Sequence, residues 1–85
     1  IKKENNLIIK LKEILEIINN NKLKEKIYDI YKELKEEYNY LINKYNDDKI
    51  ENLLKIYIKN KSVRNELIIE IEKMIKYLEE EIKKN

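Results

Sequence analysis

Residues 22–45 read KLKEKIYDIYKELKEEYNYLINKY, and this stretch decides the fold. At 100° per residue, Leu23, Ile27, Ile30, Tyr31, Leu34, Tyr38, Leu41, Ile42 and Tyr45 fall within an arc of about 120°, the width of one buried stripe. Tyr28 and Tyr40 lie outside it. A strand is excluded, because Lys32, Glu33, Lys35, Glu36 and Glu37 occupy both parities and would put charge on either face of a sheet. One helix of about 36 Å is expected here.

Working outward, the flanking segments carry the same period. Residues 5–19 set Leu7, Ile8, Leu11, Ile14, Leu15 and Ile18 on one face. Asn19-Asn20-Asn21 then interrupts the pattern, since Asn tolerates the left-handed conformation and can close a helix without Gly. On the other side, Asn46-Asp47-Asp48 precedes a face of Ile50, Leu53, Leu54 and Tyr57. Asp48 and Glu51 have the spacing of an acidic capping box. After Lys59-Asn60-Lys61-Ser62 the register resumes at Val63 and continues through Leu67, Ile68, Ile71, Met74, Ile75, Leu78 and Ile82. An unbroken third helix would place Lys61 and Arg64 in its seam, so a turn capped by Asn60 or Ser62 is expected. The reading is all-α: a single domain over 1–85, with helices near 5–19, 22–45, 48–60 and 63–83 in an up-and-down bundle. A three-helix version, with the last two helices continuous, is the alternative.

Composition sets further bounds. Eighty-five residues bury a smaller share of their surface than a large chain does, so the core must be efficient or shared with a partner. Only eleven residue types occur, with no Ala, Gly, Pro, Cys, His, Phe, Trp, Thr or Gln. The abundant types, Ile, Lys, Asn and Tyr among them, have AT-rich codons, so an AT-rich genome accounts for much of this bias. Equal shares of charged and apolar residues, 42% each, suit amphipathic helices and argue against disorder. The net charge of +2 is spread evenly along the chain, which leaves no broad electrostatic footprint for nucleic acid. Without cysteine there is no disulfide or thiolate site. The longest apolar runs, Leu7-Ile8-Ile9 and Leu67-Ile68-Ile69, fall far short of the roughly 20 residues that span a bilayer. A soluble protein, cytoplasmic by default, is expected. No signal peptide is visible, and a start at Ile1 without Met leaves open an excised or processed piece.

Catalysis is not expected, because His and Cys are absent, Ser62 is the only non-phenolic hydroxyl, and no Gly loop can cradle a phosphate. No cofactor or metal is expected either; Asp47, Asp48 and Glu51 lack the Gly-containing loop of an EF-hand and suit capping better. One basic cluster, Lys59, Lys61 and Arg64 beside Tyr57, could hold a phosphate at a helix start and stack a base, against the plainer reading of a solvated turn. Tyr31, Tyr38 and Tyr45 recur every seven residues, either as the boundary of the core or as an interface stripe. Ile9 and Ile69 sit opposite the seams of the first and last helices, with Ile17, Tyr28, Tyr40, Ile56 and Tyr77 off to the side of theirs. Several such residues would suit a second buried surface. The expected function is a non-enzymatic helical protein-interaction or assembly module, binding a protein partner or a second copy. The competing reading is an accessory nucleic-acid-binding domain of weak affinity, and a membrane-surface helix over 5–19 is a lesser one.

Overall fold

The computed structural model describes residues 2–84, which form a helical bundle with no strand among them. Its helices are α1 (Lys2–Asn19), α2 (Ile27–Glu37), α3 (Asn39–Tyr45), α4 (Asp48–Lys59) and α5 (Arg64–Lys84). Single 3₁₀ turns over Lys24–Lys26 and Lys61–Val63 lead into α2 and α5. Packing runs in a ring, α1 against α2, α2 against α4, α4 against α5 and α5 back against α1. Arg64, at the start of α5, reaches the carbonyls of Ile18 and Asn19 at the end of α1, so these two helices are antiparallel. The result is an up-and-down arrangement of four rods, the second of them bent.

The turn after α1 forms without glycine. Asn21 takes φ 53°, its N–H donates to Ile18 O at 3.2 Å, and the Lys22 N–H donates to Ile17 O at 3.2 Å. These two bonds are the Schellman pair, with Asn in the left-handed position that Gly usually fills. Leu23 is also left-handed at φ 52° and is half exposed. This corrects the expected helix start and removes Leu23 from the buried stripe. A branched side chain at that φ costs about 1–2 kcal/mol, and the helix begins only after it.

The expected helix over 22–45 is broken a second time. Tyr38 leaves helical geometry at φ −116° and ψ 37°, although its N–H still reaches Leu34 O at 2.9 Å. The stripe itself is intact across the break, with Leu34, Tyr38 and Ile42 all buried. Unbroken, the helix would be about 36 Å long beside an α4 of 12 residues, about 18 Å. The bend instead carries α3 toward the C-terminal half of α5, where the Tyr45 and Tyr77 rings meet with centroids 5.1 Å apart.

The last break falls where expected. Asn60 is extended, and its side chain accepts the Ser62 N–H at 3.0 Å, which rules out the three-helix alternative. By contrast, the expected capping box at Asp48 and Glu51 does not form. The N-cap of α4 is Asp47, with no side-chain bond to the helix, because its carboxylate is engaged elsewhere. One contiguous core joins all five helices, from Leu7 and Leu11 through Ile27, Ile42 and Leu54 to Ile71 and Met74. The accessible surface of 5649 Å² is close to the roughly 5,400 Å² of a folded monomer of this mass. The core closes within one chain.

Candidate functional sites

The only buried charge among the described residues is Asp47, which is 2% exposed. It accepts the Tyr31 hydroxyl at 2.7 Å and the Lys35 ammonium at 3.0 Å, and the same ammonium donates to Glu51 at 2.9 Å. Two spacings of four residues bring this about: Tyr31 and Lys35 stack one turn apart on α2, and Asp47, at the N-cap of α4, stands one turn before Glu51. Burial, then the bond to Asp47, pushes the Tyr31 hydroxyl well above the usual phenol range. Partial burial works to lower Lys35, but the Glu51 and Asp47 carboxylates outweigh it and raise it. With Tyr31 and Asp47 both buried, the network clamps α2 to the start of α4. Asp47, Asp48 and Glu51 place carboxylate oxygens within 4.8 Å of one another, yet Lys35 already puts an ammonium on two of the three.

Sequence reading missed this network. Lys35 stands at the edge of the α2 stripe, and Asp47 in a linker between helices is indistinguishable from an ordinary cap until the turn at Asn46, φ 69°, aims it inward.

The tyrosine stripe is corrected. Tyr31 and Tyr38 are buried inside the chain, so they present no ring to a partner. Tyr45 is half-buried against Tyr77. Each ring fills the boundary that a bent rod leaves between α2–α3 and its neighbours, which is the work of core tyrosines.

The basic cluster also comes apart. Tyr57 is 1% exposed, with the Lys24 ammonium 5.8 Å from its ring centroid, so it cannot stack on a base. The Arg64 guanidinium donates to Ile18 O at 3.3 Å and Asn19 O at 3.1 Å. Its last turn lacking any basic residue, α1 receives from α5 a cation for its negative end. Lys59 and Lys61 remain exposed, two cations on a turn.

The outer side of the α1/α5 pair is different in kind. Ile9 is 56% exposed and Ile69 is 49% exposed. Between the helices runs an open groove lined by Asn5, Ile8, Ile9, Lys12, Lys76, Glu79, Glu80, Ile82 and Lys83. Ile69 precedes Lys76 and Lys83 by seven and fourteen residues, so it extends the same edge of α5. Along the floor, Ile8 and Leu15 on α1 and Ile68, Ile75 and Ile82 on α5 recur at intervals of seven; Leu15, Ile68 and Ile82 are only partly buried. This is an apolar seam about 21 Å long with isoleucines raised on its edges. The hollow between α1 and α2, lined by Ile14, Ile17, Ile30 and Leu34, holds about 170 Å³, below the roughly 300 Å³ where small-molecule sites begin. No described helix is long and apolar enough to cross a membrane.

Compared with protein-family models, curated proteins and solved structures, the chain matches none.

Proposed function

We propose that this protein is a non-enzymatic helical interaction module that engages another protein through the outer side of α1 and α5. One observation carries the reading. Ile9 and Ile69 lie half exposed on the side of each helix away from a core that is already closed. Folding does not need them there, and β-branched residues at solvated helix positions add nothing to helix propensity. With the partly exposed seam between them and charged side chains interspersed, they give the kind of mixed apolar surface that protein contacts cover. The accessory nucleic-acid reading is left with Lys59 and Lys61, since Tyr57 and Arg64 are occupied within the fold.

A photo-crosslinking residue at position 76 tests the proposal in the host cell, with position 32 on α2 as a control. A discrete adduct from position 76 that vanishes in the Ile9→Lys, Ile69→Lys variant, with the unfolding midpoint unchanged, supports it. Absence of any adduct from position 76 overturns it. So does unfolding of the double variant, because both residues would then belong to the core.

A further inference from the structure

Resting on that reading, we propose that the partner is a second copy of this chain, laid face to face so that α1 of one copy covers α5 of the other. The geometry of the α1/α5 side points to this arrangement. Arg64 lies at the height of Ile18 and Asn19, and the groove sets Asn5 to Lys12 beside Lys76 to Lys83. Lys12 on α1 and Glu72 on α5 therefore stand within about one turn of the same height. Both project from the middle of the side, each 60° from the neighbouring isoleucine at about 100° per residue, and both are exposed. A two-fold axis along the seam keeps height and exchanges the helices. It brings Lys12 of one copy onto Glu72 of the other, and Glu72 onto Lys12, so one contact is made twice.

Charge and size agree with a self-complementary contact. Lys12, Lys76 and Lys83 are interspersed with Glu16, Glu72, Glu79 and Glu80 on this side, so neither a strongly acidic nor a strongly basic partner is favoured over a copy of itself. Ile9 and Ile69, on the edges of the side, then border the contact, Ile9 along the edge of the opposite copy's α5 and Ile69 along that of its α1. The molecule measures 39 × 21 × 21 Å, so one long side, covered along its whole length, reaches at most about 800 Å², what each partner contributes to a standard stable interface.

Sedimentation of the full chain from about 1 µM to about 1 mM reads the mass, and charge reversal reads the geometry. Lys12→Glu alone sets Glu against Glu twice, and Glu72→Lys alone sets Lys against Lys twice. Each should weaken the dimer about tenfold or more. An equimolar mixture of the two variants restores both attractive contacts and should recover the wild-type dissociation constant. A pair made within one chain cannot be restored by mixing, so recovery isolates the contact between copies. Wild-type protein that stays monomeric to about 1 mM overturns the inference, as does a dimer that mixing fails to restore. A crosslinked adduct from position 76 with a mass other than twice the chain also overturns it, while leaving the broader interaction reading standing.

Discussion

Replacing Lys35 with Met keeps the length of the apolar stem and removes the ammonium from between Asp47 and Glu51. Glu51 is about a quarter exposed and can turn to water. Asp47, 2% exposed, cannot, and keeps only the Tyr31 hydroxyl at 2.7 Å. Breaking a buried pair on one side typically costs about 3–5 kcal/mol. Since Lys35 is itself 22% exposed, a loss of about 2–4 kcal/mol is expected. Urea unfolding at pH 7 measures it. Adding Asp47→Asn, which removes the charge and keeps an acceptor for Tyr31, should recover most of the pH 7 loss. A loss under about 0.5 kcal/mol at pH 7 would refute the view of Asp47 as a buried charge held by Lys35.

Leu34→Ala, at a buried position near the bend, should cost about 2–5 kcal/mol in chemical denaturation. Leu23→Gly should raise stability by about 1 kcal/mol, because Gly accepts φ 52° without strain and Leu23 is half exposed. Tyr31 and Lys35 both titrate above their usual values in the folded state, so their contribution is intact below about pH 10 and lost as pH rises beyond it. Tyr31→Phe should flatten that alkaline fall in urea-unfolding stability by up to about 1.4 kcal/mol per pH unit. Any binding to duplex DNA should have a log-log salt slope no steeper than about −2, as Lys59 and Lys61 are the cations left on that turn.

The period of 3.6 made the helices and their buried faces legible, because burial of Leu34, Ile71 or Leu54 depends only on which side of a helix a residue occupies. Backbone exceptions were harder to foresee. The asparagine run marked its own turn, since Asn adopts left-handed φ at little cost, but nothing in Leu23 or Tyr38 signals non-helical dihedrals. Those follow from where neighbouring rods end, which is a property of the whole bundle. The same reason hid the partners of the polar side chains. Arg64 is 45 residues from Asn19 and Tyr31 is 16 from Asp47, distances at which a single sequence gives spacing but no contact. So the tyrosines and the basic turn, conspicuous as motifs, proved to be occupied within the fold, while the exposed isoleucines were identifiable from the helical wheel alone.

Codon bias is the rival account of those isoleucines, and their placement bears on it. A bias that drew Ile without regard to position would scatter it over every solvated helix face. The exposed helical positions of α2 instead hold only Asp, Lys and Glu, so the bias is met there by other AT-rich codons. Of the three isoleucines in the exposed class among the described residues, Ile9, Ile56 and Ile69, two stand on one side of one helix pair. They flank the seam where Leu15, Ile68 and Ile82 are also incompletely covered. A random draw explains single exposed apolar residues such as Ile56, which are ordinary on any protein surface. It does not explain why the surplus on α1 and α5 lines up along a floor repeating every seven residues, the spacing at which one helix surface accepts another.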